Sequence, residues 1–298
     1  MLKLATILID GVIYASWLFV VAAGLTLVYG VMKILNLAHG SLYAIGAYTA
    51  ASAVTWYFAA GYPALGSYLL LLASALVAGS VAGLAIERGV LRLMYGRDEV
   101  VMVLVTYGVL LILEDAIKLV WGVQSYSAYQ PYQQFGRLQF GAVSFANYEL
   151  MLIVVAAAVA AALWWGLNRT RRGKLLLAVI HDREISLALG VNVTRVFIVT
   201  FMIGGVLGAL AGALTAPVIS VVPGIGVEVI VLAFAVVVIG GLGSVQGALV
   251  GALIVGVARA AAVHLLPEVE LFVIYGVMCL VLAVRPAGLF GRPAARKI

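Results

Sequence analysis

The sequence predicts an all-α, polytopic integral membrane protein, and its composition and the spacing of its polar breaks are the two observations that predict it. Of the 298 residues, 65% are hydrophobic and only 10% are charged, whereas a soluble domain carries roughly a quarter charged residues. Apolar runs recur along the chain, and a run of ~20 residues crosses a hydrocarbon core ~30 Å thick. We expect one transmembrane domain over residues 1–298, with about eight to nine helical membrane elements, some of them broken or re-entrant.

Polar, glycine-rich or proline-containing breaks delimit the apolar runs. Segment 34–60 is unusual because it contains Asn36 and His39, and segment 229–239 is unusual because its 11 residues are too short to cross unaided. Polar or irregular backbone at membrane depth is tolerated where it is buried in protein or lines water. These two segments are therefore either spanning or re-entrant. The runs are 11–32, 34–60, 67–86, 100–121, 148–167, 196–216, 229–239, 247–263 and 271–284.

Basic residues are concentrated in three of the breaks. These breaks hold 13 of the 18 Lys and Arg residues, and an excess of Lys and Arg marks cytoplasmic loops. We therefore expect loop 168–195 and the C-terminus in the cytoplasm, and loop 122–147, loop 217–228 and the N-terminus outside. The 13 residues are Arg88, Arg92, Arg97, Arg169, Arg171, Arg172, Lys174, Arg183, Arg195, Arg285, Arg292, Arg296 and Lys297.

Loop 168–195 contains the signals of a short helix. Asp182 is a favoured N-cap residue, and Gly190 tolerates the left-handed conformation that follows a helix end. Ile185, Ala188 and Leu189 then fall on one face of the helix by their spacing. Two interpretations stay open: a surface helix resting on its own transmembrane bundle, or a docking helix for a motor subunit.

Four sequence blocks resemble those of branched-chain amino-acid ABC transporter permeases of the LivH/LivM type, and the LivH half more closely. They are the helix and its continuation at Asp182–Val196, GLTLVYGVMKILNLAHG at Gly24–Gly40, VIGGLGSVQGALVGA at Val238–Ala252, and RPAGLFGRP at Arg285–Pro293. The blocks follow the order of the family and extend over almost the whole chain.

The resemblance implies a permease subunit in a prokaryotic plasma membrane that imports branched-chain amino acids without covalent chemistry or a cofactor of its own. Its implied partners are a second permease (LivM-like, or another copy), two cytoplasmic ATP-binding subunits that use the ATP, and an extracytoplasmic solute-binding protein. The sequence agrees in one respect, because Gly173-Lys174 is followed by Leu175 and does not form a phosphate-binding loop. The residues expected to couple to the ATPase are Asp182, Arg183, Glu184, Ala188 and Gly190.

Two polar or glycine-rich groups are candidates for the translocation pathway. Polar groups within a membrane usually face a cavity or a partner, but neighbouring helices could also satisfy them. Likewise, the glycines could free helix ends for a substrate carboxylate or allow close packing of helices. Ser41 stands where members of the family often carry an acidic residue, which leaves a role for a carboxylate at this point in doubt. The candidates are Asn36, His39, Gly40 and Ser41, and Gly240, Gly241, Gly243 and Ser244.

The remaining charged residues allow rival functions. Glu114 and Asp115 both lie on the side of Lys118 by helical spacing, which favours an interfacial ion pair over a proton relay. The rivals are a permease for urea or short amides in the same family, and an ion-coupled secondary carrier that uses Glu114, Asp115 or His39. A structural scaffold is disfavoured by the polar membrane segments. The three histidines show no metal-ligand spacing, and one cysteine cannot form an internal disulfide.

Overall fold

The computed structural model describes residues 2–140 and 143–291, and most of them are helical. A π-helix at Glu87–Leu91 and a 3₁₀ helix at Pro267–Val269 join longer helices. Strands β1 (Arg137–Phe140) and β2 (Val143–Ala146) form an antiparallel hairpin. The α-helices are α1 Leu2–Met32, α2 His39–Ala59, α3 Ala64–Ile86, α4 Arg92–Met94, α5 Glu99–Trp121, α6 Gln130–Gln134, α7 Asn147–Arg169, α8 Arg171–His181, α9 Arg183–Ala188, α10 Val193–Thr215, α11 Ile225–Gly240, α12 Val245–Leu265 and α13 Glu270–Val284.

Among the described residues, six helices are long and apolar enough to cross a membrane, which confirms the predicted polytopic, helical protein. They are α1, the continuous stretch Ala64–Met94, α5, α7, α10 and α12. Helices α11 and α13 are apolar but shorter. The expected number of eight to nine membrane elements stays a prediction, since length and composition alone do not decide whether α2, α11 and α13 cross.

The polar break expected at 87–99 begins later than predicted. The helix of the third apolar run continues through the π-helix and α4 as far as Met94. Glu87 is fully buried, and its carboxylate accepts a hydrogen bond from the Tyr95 hydroxyl. Burial and this bond raise the pKa of Tyr95, so its hydroxyl keeps the proton that it donates. The buried acid of this helical stretch is thus paired through one of its two carboxylate oxygens.

Helices α1, α2 and α10 form the centre of the bundle through contacts between small residues. Gly11 of α1 lies against the backbone of Val257 in α12, and Gly46 of α2 lies against the backbone of Ala209 in α10. In membranes, small residues let helix backbones approach closely and gain van der Waals contact. The same face of α10 continues to Gly212, which meets the carbonyl group of Tyr43. This close packing fixes α2 against α10.

Residues of the first two basic clusters gather at one end of the bundle, here named the basic end. Met32 at the end of α1, Leu91 of the π-helix, Met102 of α5, Val179 of α8 and Phe197 of α10 pack there in one apolar cluster. Segments 87–97 and 169–195 therefore meet, as their shared charge predicts. Of the third cluster, Arg285 is described, whereas Arg292, Arg296 and Lys297 lie outside the described residues.

The loops expected on the outside also meet each other, at the opposite end. Tyr126 and Val221 exchange two backbone hydrogen bonds of 2.9 and 2.8 Å, and the Ser220 hydroxyl lies 2.7 Å from the Tyr129 hydroxyl. The Tyr68 hydroxyl donates to the Pro131 carbonyl oxygen at 3.0 Å. Segments 122–147 and 217–228 thus form one surface.

Two helices begin inside the bundle rather than at its ends. The chain is non-helical at 33–38 and resumes at His39, which lies against Gly24 of α1, two turns before that helix ends. Similarly, Gly226 in the first turn of α11 touches Gly40 in the first turn of α2. The broken character predicted for segment 34–60 is confirmed, and its break directs the start of α2 toward the start of α11.

Candidate functional site

The helix predicted between Asp182 and Gly190 is present as α9. Asp182 is its N-cap, because the Oδ1 atom accepts a hydrogen bond from the backbone N–H of Ile185 at 2.9 Å. Gly190 follows the helix with φ +82°, in the left-handed region that strains residues with a Cβ atom. The two local signals in the sequence therefore predict this element correctly.

Helix α9 exposes its apolar side chains, so these side chains do not rest on the described part of the bundle. Whether α9 is a surface helix or a docking helix for a motor subunit stays a prediction. Ile185 is 59% exposed and Leu189 is 78% exposed, and Ala188 is exposed as well. The buried residue of the helix is Ser186, whose hydroxyl donates to the Asp182 carbonyl oxygen at 2.7 Å. Adjacent exposed apolar side chains, rimmed by charges, are typical of a surface that binds a partner.

The charged residues of α9 lie in its first turn. Arg183 and Glu184 are both exposed, and neither forms an ion pair with another residue that the structure describes. The Arg183 guanidinium lies 5.4 Å from the centroid of the Phe197 ring in α10, a cation–π distance. Arg183 therefore connects the exposed helix to a core residue of the bundle.

Helix α8 supports α9, and the sequence interpretation missed it. The Thr170 hydroxyl accepts a hydrogen bond from the Gly173 N–H at 3.0 Å and caps the helix. Leu176 and Val179 are buried against the end of α1. The signal was available, since a threonine precedes apolar residues at helical spacing, but the basic residues between them obscured it.

The polar segment after α1 is buried in the bundle. Asn36 and His39 are fully buried, and the amide group of Asn36 has no hydrogen-bond partner among the described residues. The Nε2 atom of His39 lies 3.0 Å from the Val21 carbonyl oxygen; because a carbonyl can only accept, Nε2 carries the proton. His39 thus ties α2 to α1, while Asn36 keeps polar atoms that another group would satisfy.

Thr106 of α5 holds the same segment, although no pattern in the sequence marks it. Its hydroxyl accepts a hydrogen bond from the Leu37 N–H at 3.2 Å. Its one proton lies within hydrogen-bond reach of the Leu35 carbonyl oxygen at 3.1 Å and of the Val103 carbonyl oxygen, in its own helix, at 3.0 Å. Thr106 is fully buried. The hydroxyl therefore supplies a partner for the Leu37 N–H, a backbone group that the broken helix leaves without one.

Replacing Thr106 by valine is expected to lower the free energy of unfolding by about 1–3 kcal/mol, because the buried N–H of Leu37 loses its partner. The measurement is thermal unfolding of the purified protein in detergent. Thr55→Val is the matched control, since the Thr55 hydroxyl bonds only within its own helix, to the Ala51 carbonyl oxygen. Equal midpoints for the two variants would contradict this role of Thr106.

Glu114 reaches the start of α11, and its expected place beside Lys118 is wrong. Asp115 does pair with Lys118 at 3.0 Å on the exposed side. Glu114 is only 6% exposed, and its Oε2 atom accepts a hydrogen bond from the Gly224 N–H at 3.0 Å. A helix N-terminus carries partial positive charge and orphan N–H groups, both of which a carboxylate stabilises.

The first turn of α2 lies beside this buried carboxylate. A Cβ atom on Gly40 would overlap the Gly226 carbonyl oxygen, and the Ser41 hydroxyl donates to the Leu110 carbonyl oxygen at 3.4 Å. Leu110 is one helical turn before Glu114 in α5. Gly40 and Ser41 therefore join α2 to α11 and α5, and a buried acid stands near position 41 although Ser41 itself carries none.

The second glycine group lies elsewhere, at the end of α11. Gly241 and Gly243 have φ values of +102° and +83°, and the Ser244 hydroxyl caps α12 by accepting from the Gly247 N–H at 3.0 Å. Gly240 packs against Gly247 of α12, and Gly243 against Gly30 of α1. These contacts favour close packing over an open carboxylate site for this group.

The C-terminal segment completes this end of α11. The Leu289 and Phe290 N–H groups donate to the Ile239 and Gly240 carbonyl oxygens, each at 2.9 Å. The last carbonyl groups of a helix have no partner within it, so this segment supplies one. The sequence blocks around Gly240 and Leu289 therefore form one structural unit, a contact that their 49-residue separation did not indicate.

The predicted site residues thus form three separate groups: α9 at the basic end, segment 36–41 inside the bundle, and 240–244 at the end of α11. Within residues 2–140 and 143–291, no three His, Cys, Asp or Glu side chains lie together as metal ligands would. The fold and these groups define a multi-pass membrane protein with broken helices at its centre and an exposed, capped helix at one end.

Comparison with known proteins identifies the family. Residues 7–282 match the family described as branched-chain amino acid transport system, permease component. The chain is 31% identical to the branched-chain amino acid permease protein BraD of Pseudomonas aeruginosa, over 98% of this chain and 97% of the relative. It is 29% identical to LivH of Escherichia coli, over 97% and 96% of the two chains. The chain belongs to this family of permease components.

A more distant relative matches only part of the chain. The fructose import permease protein FrcC of Rhizobium meliloti is 44% identical over 102 residues, which cover 32% of this chain and 28% of the relative. Full-length similarity is thus to permeases named for branched-chain amino acids, whereas similarity to this sugar permease is local.

Proposed function

We propose that the chain is the membrane-spanning subunit of an ATP-driven importer of branched-chain amino acids. An external binding protein would deliver the substrate, two cytoplasmic ATP-binding subunits would supply the energy, and a second permease would complete the pathway. Relatives named for branched-chain amino acids match nearly the whole chain, which supports this substrate over urea or a short amide. The chain itself is a transport component that passes its substrate on unchanged.

The exposure of α9 carries the proposal. Its capped ends fix its shape, its apolar side chains are not covered by the described part of the chain, and α8 attaches it to the end of α1. A rigid, exposed helix joined to the transmembrane core is suited to receive a push from a moving partner. The residues that would meet the ATPase are Asp182, Arg183, Glu184, Ala188 and Gly190.

The charge distribution supports an orientation. Segments 87–97 and 169–195 meet at the basic end, and cytoplasmic loops carry the excess of Lys and Arg. We therefore place α9 and the C-terminus in the cytoplasm, and the N-terminus outside. The joined surface of segments 122–147 and 217–228 then faces the external binding protein.

The pathway would pass the meeting point of α2 and α11. Both helices begin inside the bundle, and broken helices at mid-membrane are typical of substrate pathways in transporters. Asn36, in the break before α2, has a buried amide with no partner in the described part of the chain, whereas His39, Gly40 and Ser41 hold the helices in place. The proposed pathway also includes the closely packed turn at the end of α11, which contains Gly240, Gly241, Gly243 and Ser244.

Replacing Gly190 by valine is expected to uncouple the transporter. A β-branched residue at φ +82° adds strain of about 1–3 kcal/mol, which the exposed end of α9 relieves by losing its shape. Uptake per ATP hydrolysed should then fall roughly tenfold, a factor that 1.4 kcal/mol represents. The measurement is labelled leucine uptake together with ATP hydrolysis in proteoliposomes that contain all subunits.

Gly61→Val is the matched control. Gly61 has φ +75°, and its Cβ position is also open, but it lies in the turn between α2 and α3. The strain is therefore the same while the coupling surface is untouched. If Gly190→Val and Gly61→Val keep the same uptake per ATP, the proposed role of α9 is incorrect.

A further inference from the structure

A cavity of about 160 Å³ lies at the basic end, beside α9. Four elements build its wall: the residues that follow α1, the turn before α5, the first turn of α9 and the start of α10. A single water molecule needs about 10–15 Å³ of such a cavity, so this cavity has room for a larger ligand. A small organic acid or an amino acid is of this size.

Three cationic side chains and one carboxylate line the cavity, from Lys33, Arg97, Arg183 and Glu99. No nitrogen of the three cations lies within 4.0 Å of a carboxylate oxygen of any described residue. A rim that has two excess positive charges and no ion pair among the described residues attracts an anionic group.

The floor of the same cavity is apolar. Met32, Met102 and Phe197 line it and are buried. Methionine side chains adapt their shape to an apolar guest, and the Phe197 ring also carries the Arg183 guanidinium at 5.4 Å. A ligand that matches the whole cavity therefore has an apolar part as well as a carboxylate.

Lys33 reaches the rim through an unusual backbone conformation. Its φ of +55° is the one positive value among the described residues other than glycine, and the left-handed region is unfavourable for such a residue. Strained conformations persist where surrounding structure holds them, and they concentrate at ligand sites. Here the strain lies at the point where α1 ends and the chain turns back into the bundle.

We propose that this cavity binds a free apolar amino acid from the cytoplasm and that the bound ligand slows the transporter. The cations would take the carboxylate, Glu99 the ammonium group, and Met32, Met102 and Phe197 the side chain. Glu99 favours this zwitterion over an acidic side chain of the ATPase, since such a side chain has no cationic group to place beside Glu99 and would leave the apolar floor uncovered.

The position of Arg183 links occupancy to transport. Arg183 is the first residue of α9, so a carboxylate that it shares with Lys33 and Arg97 would tie α9 to the ends of α1 and α5. A helix tied in this way would resist the movement that the ATPase imposes. This inference rests on the proposed function of α9, and the expected result is inhibition of import by its own product.

The test uses the complete transporter in proteoliposomes with the ATPases facing outward and the loaded binding protein enclosed. Leucine added outside, on the cytoplasmic face, should lower ATP hydrolysis by roughly fivefold or more, as for a typical coupling between two sites. Leucinamide, which lacks the carboxylate, should not inhibit. Leucine should also inhibit more strongly than 4-methylpentanoate, which lacks the ammonium group.

Variants separate the contributions of the individual side chains to inhibition. For each variant, the measured quantity is the rate of ATP hydrolysis without external leucine divided by the rate with it. Arg97→Gln should bring this ratio close to one, and Glu99→Gln should remove the preference for leucine over 4-methylpentanoate. Arg88→Gln is the matched control: Arg88 is an exposed cation of the neighbouring π-helix that does not line the cavity. It should keep full inhibition.

Three results would overturn the inference. The first two are equal inhibition by leucine and leucinamide, and full inhibition of the Arg97→Gln variant by leucine. The third is that Arg97→Gln also binds the ATPase more weakly when it loses inhibition, which would assign the cavity to an acidic group of the partner. Release of labelled leucine from the vesicles, without leucine outside, reports the proposed function separately. Release without inhibition contradicts this inference alone, whereas absence of release contradicts the proposed function.

Discussion

Replacing Gly46 by alanine is expected to lower the free energy of unfolding by at least about 2 kcal/mol, because the added methyl group has no room. A Cβ atom at this position would overlap the backbone of Ala209 in α10, which cannot rotate away. Relief requires α2 and α10 to separate along the centre of the bundle. Unfolding in detergent, followed by circular dichroism during heating, measures the loss.

Gly108→Ala tests the same change where space is open, since no atom lies within 4 Å of the Cβ position at Gly108 in α5. Alanine favours a helix over glycine by roughly 1 kcal/mol, so this variant should be slightly more stable than the parent. We therefore predict that Gly46→Ala lowers the free energy of unfolding and that Gly108→Ala raises it. A stabilised Gly46→Ala variant would show that α2 and α10 are less tightly packed than described.

Replacing Glu114 by leucine is expected to lower the free energy of unfolding by about 2–4 kcal/mol. The Gly224 N–H loses a buried partner, which costs about 1–3 kcal/mol, and the N-terminus of α11 loses a charge worth up to ~2 kcal/mol. Glu114→Gln keeps an acceptor for Gly224 and should lose less than half as much. Leucine uptake should fall in parallel, because the start of α11 is no longer held beside Gly40.

Asp115→Asn is the control for this pair of variants. Asp115 follows Glu114 in the same turn of α5, but its bond to Lys118 lies on the exposed side. An ion pair on an exposed surface contributes about 0–1 kcal/mol. We therefore expect almost no change. A loss as large as that of Glu114→Leu would mean that the exposed pair, rather than the buried carboxylate, stabilises this region.

Local signals in the sequence predict the local parts of the structure. Asp182 and Gly190 define α9 correctly because capping and the left-handed turn depend on a few neighbouring residues. The apolar runs give six of the long helices for a similar reason, since length and hydropathy decide them. The gathering of the basic segments at one end also follows from the chain's own charge pattern.

The parts that could not be predicted depend on contacts between distant segments. Helical spacing places Glu114 near Lys118, but it contains no information about the N-terminus of α11, which begins 111 residues later and attracts the carboxylate more strongly. Nothing in the sequence distinguishes Thr106 from the other threonines, because its role depends on the break at 33–38 lying beside it in the fold. The cavity at the basic end is likewise built from four elements that the sequence separates.

The bonds from Leu289 and Phe290 to the end of α11 have a consequence for the order in which the protein is made. Domains generally fold from the N-terminus during synthesis, at about 5–20 residues per second, so α11 leaves the ribosome seconds before the residues that close it. Until then its last carbonyl groups and the glycine turn beside them have no fixed neighbour. The end of α11 is therefore completed only after Leu289 and Phe290 have been synthesised.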